Sequence, residues 1–156
     1  MTLYSKILVP LDGSQRAERI LPHVEALAQA GNAEVVLLNV IDPTIGELGP
    51  SFYMAGTAPD LQVHWEMLEK AEEQAKEYIK GQEGSLAKKN IKVRSLVVRG
   101  NAVDAIVQQA NEVGADLVAM ASHGRSGLAR AFFGSVANGV LHRIERPLLL
   151  VRAQAE

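Results

Sequence analysis

The residues best suited to chemistry lie between Ala121 and Ser135, in the segment ASHGRSGLARAFFGS. Small residues, hydroxyls and two arginines follow an apolar run at 115–121 and precede a helical pattern that starts near Val136. Glycine lets the backbone approach an anion, and the first N–H groups of a helix have no partner within it. The pattern predicts a phosphate-binding loop. For Gly134 and Ser135 taken alone, a turn glycine followed by a helix-capping serine is the open alternative.

The rest of the chain alternates between strand and helix patterns. Strands are predicted at 5–10, 33–41, 92–98, 115–121 and 146–151. Helices are predicted from Ala17 to a stop at Gly31, from Asp60 to Lys80, from a cap at Asn101 to a stop at Gly114, and after Ser135. The predicted core side of the second helix comprises Leu61, Trp65, Leu68, Ala75 and Ile79. Glycines and prolines predict a long loop at 43–59.

This alternation predicts the α/β class with one parallel, doubly wound sheet, joined by right-handed crossovers and covered by helices on both faces. The charges early in the strand at 92–98 indicate an edge position. A chain of 156 residues fits one domain, 1–156. In such sheets ligands bind beyond the carboxyl ends of the strands, where the strand order reverses. The predicted phosphate loop follows a strand and therefore lies at that edge.

Composition excludes several classes of protein. A formal net charge of −2 with 47% hydrophobic residues argues against a general nucleic-acid or anionic-membrane binder. The chain has no cysteine, which excludes disulfides, thiol catalysis and zinc-thiolate sites. It has neither a signal-like N-terminus nor an apolar run of about 18 residues, so we expect a cytoplasmic protein. His23, His64 and His142 lack metal-ligand spacing, and no metal site is predicted.

The spacing of the glycines carries a specific resemblance. Two residues separate Ala121 from Gly124, and nine separate Gly124 from Gly134 and Ser135. This resembles the Gly-x2-Gly-x9-Gly-Ser/Thr signature of the ATP-binding type of the universal stress protein family, except that Ala121 replaces the first glycine. Further family-like segments occur in order at Lys6–Ser14, Val36–Asp42, Val97–Asn101 and Arg146–Val151. The resemblance covers the whole chain and implies five strands in the order 3-2-1-4-5.

The resemblance also implies roles for individual residues around an adenine nucleotide. Asp12 would contact the ribose, Pro10, Leu11 and Val40 the adenine, and Met120 and Ala121 the adenosine. Gly124, Arg125, Gly134, Ser135 and Val136 would lie at the phosphates and Gly100 would border them, while Ser122 and His123 are further candidate binding residues. For each of these residues an ordinary turn, cap or core role stays open as the alternative. No catalytic residue is implied.

The implied function is binding of ATP, or of AMP or a cyclic nucleotide, by a non-catalytic regulatory module in a stress response. Partner proteins would respond to its nucleotide state, and Mg²⁺ would be carried by the phosphates. One alternative is a slow ATPase or autophosphorylating protein, with Ser122, Ser126 or Ser135 as acceptor and Arg125 neutralising charge. Another is a nucleotide-free interaction protein, because the methyl group of Ala121 could crowd a ligand.

The last strand predicts a further association. Pro147–Arg152 is apolar at consecutive positions, so both of its faces need cover. The strand order implied by the resemblance places this strand at an edge of the sheet, with unpaired backbone groups along one side. Family members commonly dimerise through it. We therefore expect a homodimer with two-fold symmetry.

Overall fold

The computed structural model describes residues 3–43, 61–124 and 134–154. Its strands are β1 (Lys6–Pro10), β2 (Glu34–Ile41), β3 (Val93–Arg99), β4 (Leu117–Gly124) and β5 (Leu148–Gln154). Its α-helices are α1 (Leu21–Gly31), α2 (Leu61–Ala87), α3 (Ala102–Val113) and α4 (Ser135–Arg143). A short 3-10 helix, Ala17–Ile20, precedes α1. The predicted loop at 43–59 falls almost entirely outside the described residues and stays a prediction.

The five strands form one parallel sheet in the order β3-β2-β1-β4-β5. This confirms the predicted fold class, the predicted order and the edge position of β3. The chain moves outward from β1 to β3 on one side and then returns to β4 on the other. The order therefore reverses between β1 and β4, which opens a crevice at their carboxyl ends.

Helices cover both faces of the sheet. On one face, α1 and α2 bury Val24, Ala28, Ile79 and Leu86 against the side chains of Ile7, Val9, Val35 and Leu37 and their neighbours. On the other face, α3 and α4 bury Ile106, Ala110, Ala137 and Val140 against Leu8, Val36, Val118 and Met120. Alternate residues of β1 thus face opposite clusters, as the two-residue period of a strand requires. Covering both faces explains why the central strands are apolar throughout.

The first helical segment differs from its prediction at both ends. A 3-10 helix occupies Ala17–Ile20, and the α-helix begins at Leu21 with Pro22 in its first turn, where the missing N–H costs no hydrogen bond. At the other end Asn32 adopts the left-handed conformation, with φ 51°, rather than Gly31. Asparagine tolerates this region because its short polar side chain can hydrogen-bond locally.

Helix α2 runs seven residues past the predicted end, to Ala87. Gly81 and Gly84 do not stop it, because Ile79 and Leu86 lie on one side of the helix and are both buried in the core. Burial of such side chains outweighs the roughly 1 kcal/mol that each glycine costs relative to alanine. Leu68 is buried as predicted, but the prediction for Trp65 was wrong, since its side chain is 55% exposed.

Polar contacts hold the amino ends of the strands together, at the edge opposite the crevice. The Asp116 carboxylate accepts hydrogen bonds from the Ser5 amide at 2.8 Å, the Ser5 hydroxyl at 2.7 Å and the Lys6 amide at 3.0 Å. Burial opposes ionisation of Asp116, but these hydrogen bonds outweigh it and lower its pKa. Glu34 pairs with Lys6 and Arg94 on the neighbouring strands. The polar contacts at the amino ends of the strands therefore stabilise the sheet.

Candidate functional site

A cleft of about 150 Å³ lies at the carboxyl ends of β1 and β4, where the strand order reverses. Its lining comes from the ends of β1, β2 and β4, the 3-10 helix and the first turns of α3 and α4. The residues are Pro10, Leu11, Asp12, Ser14, Arg16, Ala17, Leu38, Val40, Ala102, Ile106, Met120, Ala121, Ser135 and Val136. The location is the one that ligands occupy in doubly wound sheets.

Apolar side chains form most of the cleft wall. Leu11 is buried and extends the β1 ladder, because its amide donates to the Leu38 carbonyl at 2.8 Å. Leu38, Ile106 and Met120 are buried on the α3 and α4 side of the sheet, and Val40 lies half-buried beside them. A wall of this kind suits a flat apolar ring, with polar groups needed only at the rim.

The rim that follows β1 is a closed hydrogen-bonded turn. One oxygen of Asp12 accepts from the Ser14 amide at 2.9 Å and from the Ser14 hydroxyl at 2.6 Å. The Ser14 hydroxyl oxygen in turn accepts from the Ala17 amide, the first of the 3-10 helix, at 3.1 Å. Gly13 completes the turn with φ 87°. Asp12 is exposed, so its carboxylate also remains accessible to a ligand hydroxyl.

Hydrogen bonds between the 3-10 helix and α2 hold this rim in place. Glu18, in the 3-10 helix, accepts hydrogen bonds from the Tyr78 hydroxyl at 2.8 Å and from the Gln82 amide nitrogen at 3.1 Å, both on α2. Burial raises the pKa of Tyr78, and the hydrogen bond to the Glu18 carboxylate raises it further. Tyr78 is therefore a neutral donor near neutral pH. The contact anchors the 3-10 helix, and with it Arg16 and Ala17, to α2.

The opposite rim is the amino terminus of α4. Its N-cap is Gly134, with φ 69° and ψ 154°, a conformation that side chains disfavour. Because glycine has no side chain, no cap hydrogen bond is made to the first turn. Ser135 and Val136, the first two residues of α4, line the cleft. The first amides of α4 therefore lack the acceptor that a capping side chain would supply, and an anion could supply it.

The structure brings together eight of the predicted site residues in the cleft lining: Pro10, Leu11, Asp12, Val40, Met120, Ala121, Ser135 and Val136. Gly134 adjoins them as the α4 N-cap. Gly100 does not line the cleft, and its amide donates to the Ile41 carbonyl at 2.9 Å. His123 and Gly124 belong to β4, and Arg125 lies outside the described residues. The roles of all these residues stay predictions.

Ser122, a candidate binding residue and phosphoryl acceptor, is not among the residues that line the cleft. It is only 1% exposed, and its hydroxyl makes no hydrogen bond within the described part of the chain. A buried hydroxyl is a poor phosphoryl acceptor unless the surrounding structure opens. Ser135, by contrast, is exposed at the cleft.

Six lining residues were missed by sequence reasoning: Ser14, Arg16, Ala17, Leu38, Ala102 and Ile106. For Ser14 a signal was present, because Asp-Gly-Ser before a helical pattern is typical of an Asx turn that leads into a cap. The apolar residues carry no such signal, since a lining position and a core position look alike in sequence. Arg16 could be recognised only once the 3-10 helix had been placed beside β4.

The described residues contain no group of three or more histidine and acidic side chains arranged to hold a metal ion. Within the same ranges, no helix is long and apolar enough to cross a bilayer. Among the described residues that line the cleft, Asp12 is the only carboxylate, and its Oδ1 accepts from Ser14. The described part of the cleft thus contains many groups that could bind a ligand and few that are suited to acid–base catalysis.

Comparison with known proteins identifies the relatives of this chain. The family model of the universal stress protein family matches residues 3–152. The chain belongs to the universal stress protein family. It is 32% identical to the universal stress protein MJ0577 of Methanocaldococcus jannaschii over 155 residues, which cover 96% of each chain. The solved structure of MJ0577 aligns with a TM-score of 0.80 at 30% identity and covers 99% of both chains.

Two more distant universal stress protein structures share the fold and contain nucleotides. One was solved in complex with cAMP and aligns with a TM-score of 0.62 at 24% identity, covering 96% of this chain and 98% of its own. The other, from Archaeoglobus fulgidus, was solved with dAMP and aligns with a TM-score of 0.61 at 20% identity, with the same coverage. At these identities the likeness concerns the fold.

Proposed function

We propose that this universal stress protein binds an adenine nucleotide, ATP in the first place, in the cleft between β1 and β4. The observation that carries the proposal is the pairing of an apolar wall with an uncapped helix terminus in one cleft. The first suits a purine ring and the second suits phosphates. Family relatives solved with cAMP and dAMP support an adenine ligand.

The polar groups at the two rims of the cleft determine how the nucleotide would be oriented. The Asp12 carboxylate at the β1 rim repels phosphate but accepts hydrogen bonds from sugar hydroxyls. The phosphates therefore extend toward Ser135 and the open turn of α4. Because the described residues offer no metal cluster, Mg²⁺ would enter with the phosphates that it neutralises.

In this proposal the protein is a regulatory module of a stress response, a single domain acting in the cytoplasm, where its ligand is abundant. Its nucleotide state would be read by partner proteins. The competing hypothesis of a slow ATPase or autophosphorylating protein needs a group that activates water or a hydroxyl. Among the described lining residues Asp12 is the carboxylate that could serve, and its Oδ1 is engaged by Ser14.

Calorimetric titration tests the proposal with ATP, AMP, cAMP and adenosine, each with and without Mg²⁺. We expect ATP to bind more tightly than adenosine, and mass spectrometry to find an adenine nucleotide in the freshly purified protein. Equal affinity for ATP and adenosine would exclude the phosphate site. Release of inorganic phosphate, or a phosphorylated Ser135 after incubation with ATP, would favour the enzyme hypothesis.

We further propose that the protein forms a homodimer through Pro147–Arg152. Among the described strands, β5 pairs only with β4, and Leu148 to Val151 are all half-buried rather than buried. The Pro147 carbonyl accepts from the Val118 amide at 3.0 Å, so alternation along the strand turns the Leu150 amide toward the free edge. Two such edges can pair about a two-fold axis and cover each other's leucines.

Leu150→Pro tests the dimer, because it removes an outward donor while the ladder to β4 stays intact. Light scattering should report a dimer for the wild type at micromolar concentration and a monomer for the variant. Leu149→Pro is the control, since its amide faces β4, and it should unfold or aggregate instead. A monomeric wild type would refute the dimer.

A further inference from the structure

We propose that Arg16 is the cation that this cleft uses to select ligands carrying several phosphates. Arg16 is the N-cap of the 3-10 helix Ala17–Ile20, and its side chain lines the cleft. The glycine signature of the family does not include this position. The proposal rests on the proposed nucleotide function and names the feature that discriminates among nucleotides.

The position of Arg16 follows from the packing of its helix. The 3-10 helix lies against β4 and β5, with Ile20 fully buried and Ala17 packed on the core between α1 and the sheet. Glu18 anchors the same helix to Tyr78 and Gln82. These contacts hold Arg16 on the α1 side of the sheet, where it lines the cleft. Ser135 stands on the α4 side, so a ligand in the cleft would lie between them.

The charge of Arg16 is not neutralised within the described part of the chain. No hydrogen bond or ion pair joins its guanidinium to a described residue. The two acids nearest in sequence, Asp12 and Glu18, are hydrogen-bonded instead to neutral donors, namely Ser14, Tyr78 and Gln82. The other described arginines, Arg19, Arg94, Arg99, Arg143, Arg146 and Arg152, all have partners.

A half-buried guanidinium in a cleft, with no partner among the described residues, is suited to a specific ligand class. It presents several donors in a planar fork, and it binds phosphate oxygens through charge-assisted hydrogen bonds. Combined with the open amides of α4, it would hold a phosphate chain from two sides. The strength of this interaction rises with ligand charge, so Arg16 would favour ATP over AMP and over cyclic nucleotides, and would not affect adenosine.

Arg16→Gln tests the assignment, because it keeps the size and hydrogen-bonding capacity of the side chain but removes its charge. Arg19→Gln is the matched control. It removes the same charge from an exposed position of the same 3-10 helix, outside the cleft lining. Thermal unfolding without nucleotide should first show that both variants are folded. Calorimetry then measures the affinities of wild type and variants for ATP, AMP, cAMP and adenosine.

We expect Arg16→Gln to weaken ATP binding about tenfold, AMP and cAMP less, and adenosine not at all. Arg19→Gln should leave all four affinities within about twofold of wild type. An equal effect of the two variants, or an equal loss for adenosine and ATP, would overturn the role of Arg16 while the nucleotide site stands. A wild type that binds none of the four ligands would overturn the proposed function, and this assignment with it.

Discussion

Two helices begin at the cleft, and they begin differently. Helix α3 is capped by Asn101, whose side-chain oxygen accepts from the Asp104 amide at 3.2 Å. Helix α4 is preceded by Gly134, which has no side chain to offer and lies at φ 69°. The first turn of α3 also contains the acid Asp104, whereas the first turn of α4 contains no acid.

This difference distinguishes the amino terminus of α3, which has a structural role, from that of α4, which can bind a ligand. The dipoles of both helices place partial positive charge at the cleft. In α3 the Asn101 side chain already accepts from a first-turn amide, and the Asp104 carboxylate lies in the same turn. This terminus therefore attracts an anionic ligand less strongly. In α4 the backbone conformation of Gly134 excludes the side chains that would cap the helix. Within the described residues no side chain caps its first amides, which could then donate to an external anion.

The largest expected effect comes from filling the open terminus. Gly134→Val adds a side chain beside Ser135 and the first amides of α4, and it strains a backbone that favours glycine. We expect ATP binding to weaken by about 100-fold or more, the order expected for losing two charge-assisted hydrogen bonds. Calorimetry measures the loss, and thermal unfolding checks that the domain remains folded.

Gly114→Val is the matched control for that variant. Gly114 has φ 67°, similar to Gly134, but it ends α3 at the opposite edge of the sheet, and an added Cβ meets open space. Backbone strain should lower its stability by about 1–3 kcal/mol while ATP affinity stays unchanged. If both variants lost ATP binding equally, strain alone would explain the effect, and α4 would not be the phosphate site.

A smaller effect is expected where the two helices touch. A Cβ added at Gly139 of α4 would lie 2.6 Å from a methyl carbon of Val103 on α3, so either the Val103 side chain or the helices must shift. Overpacking of this kind costs about 1–3 kcal/mol, partly offset by the better helix propensity of alanine. Gly139→Ala should therefore lower the midpoint of urea unfolding and, by shifting α4, weaken ATP binding several-fold.

Val103→Ala provides the second arm of a double-mutant cycle. Combined with Gly139→Ala it removes the methyl groups that collide, so the double variant should recover much of the lost affinity. Additive effects of the two substitutions on unfolding and on binding would show that this contact does not set the position of α4.

The smallest expected effect is at the capped terminus. Asn101→Ala removes the side-chain acceptor of the Asp104 amide, which should lower stability by about 1 kcal/mol. ATP affinity should change by less than about twofold, because α3 does not use its first amides on the ligand in this interpretation. A loss of ATP binding comparable to that of Gly134→Val would remove the distinction between the two helices.

Much of the fold could be predicted from the residues, because local patterns decide it. Apolar runs at β1 and β2, helical spacing in α1 and α3, and the stop at Gly114 each reflect interactions within a few residues. The glycine spacing of 121–135 and the family-like segments then supplied the strand order that the structure confirms. Most predicted site residues line the cleft because strand ends of a parallel sheet meet at one edge.

Other features depended on distant packing. Helix α2 passes through Gly81 and Gly84 because Leu86 finds a place in the core, and Trp65 is exposed because no described element covers it. The start of α1 became a 3-10 helix under the combined influence of Ser14, Pro22 and the contact of Glu18 with α2. The path of α2 and the anchoring of Glu18 depend on partners many residues away, whereas Ser14 and Pro22 act on the 3-10 helix locally.

The amino-acid sequence by itself thus determined the class of fold, its strand order through a recognisable motif, and the small residues that make a phosphate site feasible. Tertiary structure decided which helix terminus is open, since that depends on the backbone angles of Gly134 and on the occupied cap at Asn101. It also decided that Arg16 faces the cleft without a described partner. The reason is physical: propensity and period act locally, whereas the availability of a charge or an amide depends on every group that packs around it.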